Sequence, residues 1–123
     1  LAALDKRISK SIHICSFADL ESLIKNGNHD LHNHYMTVPE LLLQFSTSSI
    51  AGLIAPRPQL VCVGLKDKLT DKVSFNKSKN ELIKIYKSFG FSENLQFVIE
   101  NNSGHQETVK MRRAVLNFLS SKN

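Results

Sequence analysis

No stretch of this 123-residue chain approaches the roughly 18 consecutive apolar residues of a membrane-spanning helix, so no such span is expected. The basic start leads into no uninterrupted apolar segment either, and no secretory signal is expected. Cysteine is scarce. Cys15 and Cys62 lie in apolar, strand-like runs without a compact disulfide framework. A reduced, buried thiol serves there as a small hydrophobe, and a reducing, cytoplasmic compartment is the expectation. Internal repeats and low-complexity tracts are missing as well, so residues 1–123 read as a single domain with no repeat array.

Sixteen Lys and Arg against 11 Asp and Glu give a formal charge of +5. That excess makes an anionic partner worth testing. The basic residues are dispersed, however: Lys66, Lys68, Lys72, Lys77, Lys79, Lys84 and Lys87 alternate with Asp67, Asp71 and Glu81, and no aromatic residues interleave in a binding signature. They read as a solvated helix face, and no nucleic acid or membrane partner is expected. A hydrophobic content of 41% with 22% charged residues suits an ordinary globular core rather than a disordered chain.

Leu1–Leu4 followed by Asp5-Lys6-Arg7 predicts a helix end with a cationic last turn. Residues 11–17 are rich in β-branched side chains and predict a strand. Short helices are expected at 19–25, 39–45 and 48–54, with Asn26-Gly27-Asn28 as a turn and Pro56 and Pro58 ending the last of them. Gln59–Gly64 is a continuous apolar run, as in a strand buried on both faces. Residues 73–89 put Phe75, Ser78, Leu82, Ile85 or Tyr86, and Phe89 on one helical stripe, closed by Gly90. Leu95–Glu100 is a further strand, and 108–120 a final helix burying Met111, Val115, Phe118 and Leu119. Strands alternating with helices at these lengths predict an α/β fold: a three-layer parallel sheet of three strands with flanking helices.

In open parallel sheets functional side chains gather beyond the carboxyl ends of the strands. The second strand runs into Gly64-Leu65-Lys66-Asp67 and the third into Asn101-Asn102-Ser103-Gly104-His105, so an acid and a histidine leave the same edge of the sheet. An Asp in that position can fix an imidazole tautomer and stabilise its cation during general-base catalysis. Each residue also has a plainer use: Asp67 could cap the following helix, and His105 could be an ordinary loop residue. Asp71 reads as a helix cap.

The ordered set Ile54-Ala55-Pro56-Arg57-Pro58, Gly64-x-x-Asp67 and Gly104-His105 before a last helix resembles the C-terminal half of α/β-hydrolases. The resemblance is to the branch containing dienelactone hydrolases, acetyl xylan esterases and prolyl-oligopeptidase-like esterases. Leu1–Ile8 is similar to the end of the helix after the nucleophile in that branch, and 29–45 to part of its substrate-side insertion, so 19–58 is expected to be an insertion or cap-like segment. The resemblance implies a serine hydrolase acting on esters or peptide-like acyl groups, with Asp67 as triad acid, His105 as triad base and no cofactor. It also implies a nucleophile upstream of Asp67 in a G-x-S-x-G elbow. No two of the five glycines bracket a serine in that way. A complete fold of this kind needs roughly 200 to 250 residues, so the chain is expected to be its C-terminal portion and inactive alone.

Cys15 and Ser16, near the end of the first strand, are alternative nucleophiles or, more simply, core and pocket wall; Ser103 sits too close to His105 in sequence to attack through it. His29, His32 and His34, with Asp30, could hold a metal adventitiously, but a polar loop over the pocket mouth explains them, and no metal site is expected. His13 reads as a packed or surface strand residue. Without the nucleophile-bearing neighbour the first strand would have an unpaired edge, so homo-oligomerisation or pairing with another chain is expected. The second reading of the whole is accordingly a non-catalytic truncated module.

Overall fold

The computed structural model describes residues 1–32 and 38–121. Three parallel strands, β1 (Ser11–Ile14), β2 (Gln59–Gly64) and β3 (Leu95–Glu100), form one sheet in the order β1-β2-β3. Among the described residues, four α-helices accompany them: α1 (Leu20–Lys25), α2 (Thr47–Gly52), α3 (Lys72–Ser88) and α4 (Val109–Ser120). Short 3-10 turns lie at Asn28–Leu31, Leu41–Leu43 and Ser92–Asn94.

β2 is central and buried throughout, and its alternation separates two cores. Val61 and Val63 point to one face, against Phe17, Ala51, Phe75, Leu82 and Tyr86 from the α2 and α3 side. Leu60 and Cys62 point to the other, against Met111 and Phe118 of α4. Each of these fully buried large side chains contributes about 1.5–3 kcal/mol relative to exposure. The helices start where side-chain oxygens accept free backbone N–H groups: Asp19 from Ser22, Ser46 from Ser49, Asp71 from Val73 and Ser74, and Thr108 from Met111. Asp71 is thus the cap of α3, as its sequence position suggests.

Four local expectations need correction. Residues 1–7 form turns, not a helix end, because Asp5 accepts the Arg7 N–H at 3.0 Å and so closes a local turn after one helical bond to Leu1. Residues 39–45 yield only the 3-10 turn at Leu41–Leu43, since Glu40 has φ +61°, which no right-handed helix accommodates. β1 stops at Ile14 because Cys15 turns to φ +51°. Phe89 and Leu119 are exposed: Phe89 lies past the last residue of α3 and has left its stripe, and Leu119 faces away from the side of α4 that carries Met111 and Phe118.

A buried polar chain runs beside the sheet. Tyr86 Oη donates to the Arg57 carbonyl at 2.7 Å and lies 3.0 Å from Gln59 Oε1, while Gln59 Nε2 donates to His13 Nε2 at 2.8 Å. Burial pushes the Tyr86 hydroxyl up to about 12 and lowers the pKa of His13. His13 is therefore a packed strand histidine. Arg57 in turn reaches the start of the chain, donating to the carbonyls of Ala2 (2.8 Å), Asp5 (3.1 Å) and Ile8 (2.6 Å). Among the described residues no helix is long and apolar enough to cross a membrane.

Candidate active site at the strand ends

The site is assembled by the close approach of two loops. Gly64 ends β2, and a Cβ there would lie 2.5 Å from the Gly104 carbonyl oxygen, 2.8 Å from the Ser103 carbonyl carbon and closer still to the Ser103 oxygen. Only glycine lets the β3–α4 loop lie this near. Two ladder-like bonds then join the loops, Leu65 N–H to Glu100 O and Lys66 N–H to Ser103 O, both 2.9 Å. The result brings together the two residues singled out in the sequence: His105 Nδ1 lies 2.9 Å from Asp67 Oδ2.

The Asp67 carboxylate is wholly buried and uses both oxygens, since Oδ1 accepts the Leu69 N–H at 2.8 Å. A carboxylate only accepts, so the proton in the shared bond sits on His105 Nδ1. In the neutral ring this leaves Nε2 with a free lone pair, the state a general base needs. The imidazole side chain is 55% exposed, so that lone pair is accessible. Asp67 organises its own turn through Leu69, while the capping of α3 falls to Asp71.

His105 lines a cleft of about 230 Å³ together with Ile14, Cys15, Ser16, Ala18, His32, Leu69 and Thr70. Cys15 and Ser16 are therefore cleft wall. Cys15 is buried, its Sγ faces the Gln106 carbonyl at 3.6 Å, and burial raises its thiol pKa, which disfavours the thiolate. Cys62, deep in β2, is pushed up to about 11 by burial. Ser103 is buried and turned to the Gly104 carbonyl. Among the described residues no hydroxyl or thiol is hydrogen-bonded to His105 Nε2.

The histidine-rich loop divides. His29 pairs with Asp30 at 3.1 Å, His32 Nε2 donates to the Leu69 carbonyl at 2.8 Å, and His34 lies outside the described residues. No group of three His, Cys, Asp or Glu side chains suited to a metal occurs among the described residues. The close-packing role of Gly64 and the reach of His32 and Arg57 are not visible in sequence spacing, because each depends on atoms dozens of residues away.

No protein-family model matches the chain. Over 118 residues it is 42% identical to a Bacillus subtilis protein described as "Putative hydrolase YtaP", a match covering 96% of this chain and 39% of that protein. The chain thus spans about two fifths of the length of this relative. Among solved structures, a carbohydrate esterase family 15 glucuronoyl esterase from Caldicellulosiruptor kristjansonii superposes with TM-score 0.72 at 18% identity, covering 95% of this chain and 37% of that one. The methylesterase BT1017 gives TM-score 0.52 at 27% identity over 60% of this chain and 16% of that one. TT1662 from Thermus thermophilus gives 0.53 at 24% identity, over 68% and 34% respectively. With its parallel sheet and flanking helices, the chain has the α/β-hydrolase fold, which it shares with these esterase structures.

Proposed function

We propose that this chain carries the acid–base half of a serine esterase site, with Asp67 as the orienting acid and His105 as the general base. The observation that carries the reading is the 2.9 Å bond from His105 Nδ1 to a fully buried Asp67, with the ring exposed at a cleft. A serine outside these 123 residues would attack the ester carbonyl while His105 Nε2 takes its hydroxyl proton. Asp67 holds the tautomer and stabilises the imidazolium. His105 then gives the proton to the leaving alcohol, and water, activated by the same nitrogen, releases the acid from the acyl-serine. Backbone N–H groups near that serine would hold the oxyanion. From the cap-like segment, His32 contributes to the wall of the cleft. The glucuronoyl esterase and methylesterase likenesses favour a carboxylic ester over a peptide as substrate.

The test compares this chain with a hybrid in which it replaces the matching 118 residues of the Bacillus relative. Treated with a fluorophosphonate and read by intact mass, the hybrid is expected to take one label on a serine outside the 123 residues, and the chain alone none. Labelling of the chain alone would contradict the external nucleophile. A second reading, a module that pairs with another copy or chain, is favoured by one feature: among the described residues β1 has a partner on one side only.

A further inference from the structure

We propose that His32 is a positioning residue for the Asp67–His105 pair, pinning the acid-bearing loop from the cap-like segment. The inference rests on the reading of that pair as the acid–base half of the site.

The loop between β2 and α3 turns on the backbone of Leu69, which is held on both sides. Its N–H donates to Asp67 Oδ1 at 2.8 Å, and its carbonyl accepts from His32 Nε2 at 2.8 Å. Asp67 Oδ2 is the oxygen that meets His105 Nδ1. A continuous hydrogen-bonded chain therefore runs His32, Leu69, Asp67, His105, joining the residue after the 3-10 turn at Asn28–Leu31 to the exposed base. His32 and His105 also line the same cleft, so the pin closes one wall of the space the base faces. On its other flank the loop is held by Lys66 N–H to Ser103 O. Loss of His32 leaves the Leu69 carbonyl without its partner and frees the turn that aims the carboxylate.

The chemistry of the contact is specific. A carbonyl can only accept, so Nε2 of His32 must carry hydrogen. Both the imidazolium and the neutral tautomer protonated at Nε2 supply that hydrogen. An N–H donor at the same reach should substitute for it. Gln offers one at about the distance of Nε2, whereas Asn is one methylene short and Leu has none.

The experiment uses the 123-residue chain in NMR. The wild type is expected to give a downfield imidazole N–H resonance from His105 that D67N abolishes. H32L and H32N are expected to lose or broaden that resonance and to speed exchange of the Leu69 amide by roughly tenfold, the worth of one hydrogen bond. H32Q is expected to keep both near wild type. If the wild type lacks the resonance, the pair reading itself fails. If the resonance is present and H32L and H32N leave it and the Leu69 exchange unchanged, the pair stands and the role of His32 is overturned. Should H32L not fold, H32N against H32Q decides: equal behaviour of these two overturns the proposal.

Discussion

Replacing Gly64 by alanine probes the step that brings the site together. The added Cβ would lie 2.5 Å from Gly104 O and 2.8 Å from the Ser103 carbonyl carbon, about 0.9 Å and 0.6 Å short of the 3.4 Å of ordinary contact. All the atoms it meets are backbone, so no rotamer change relieves the clash and the β3–α4 loop must move by nearly an ångström. That motion stretches the Lys66 N–H to Ser103 O bond and draws His105 from Asp67. Overpacking of this kind costs about 1–3 kcal/mol and the lost bond about 1 kcal/mol, so G64A is expected to lose about 2–4 kcal/mol in urea unfolding. A domain of ordinary stability, about 5–15 kcal/mol, still folds with that loss. The same variant should weaken the His105 N–H resonance. Two controls separate sterics from glycine content. At Gly104 a Cβ meets only Lys66 O at 3.8 Å, and at Gly52 it meets the flexible end of Ile85, so G104A and G52A should each cost less than G64A. Stability of G64A within about 0.5 kcal/mol of wild type, with the resonance intact, would refute the reasoning.

Other perturbations read other parts of the account. R57A removes three carbonyl contacts to residues 2–8 and is expected to cost about 2 kcal/mol and accelerate amide exchange in that segment; unchanged exchange there contradicts the clamp. His13 has a folded pKa lowered from 6.5 by burial, so below about pH 6.5 the unfolded chain takes up a proton that the folded chain refuses. Stability should therefore fall with acidification, by at most about 1.4 kcal/mol per pH unit from this group, and H13N should remove that slope in the difference between the two curves. Parallel curves from neutral to mildly acid pH would count against it. Light scattering at rising concentration tests the β1 edge: association is expected, and a monodisperse monomer at high concentration contradicts it.

What the sequence made legible follows from where the information sits. β2, α3, β3 and α4 are long enough for their periodicity to settle type and span, and β2 betrays its central position by an unbroken apolar run. That Asp67 and His105 meet was readable because successive parallel strands deliver their loops to one edge. The 39–45 segment misleads because apolar spacing says nothing of the left-handed backbone at Glu40. Arg57, His32 and Gly64 act through contacts with residues 55, 37 and 39 positions away, and no local pattern encodes those partners. At Leu119 and Phe89 the apolar spacing continues one step beyond the face that the sheet covers.

The most direct measurement is kcat for a short-chain ester in the hybrid of this chain with its Bacillus relative. D67N and H105Q, each introduced into a hybrid that stays folded, are expected to lower kcat on the order of 10³–10⁴-fold with little change in KM, because both act on the proton transfer rather than on ground-state binding. Rates within about tenfold of the parent hybrid for either variant would contradict the assignment of Asp67 and His105 as the acid–base pair.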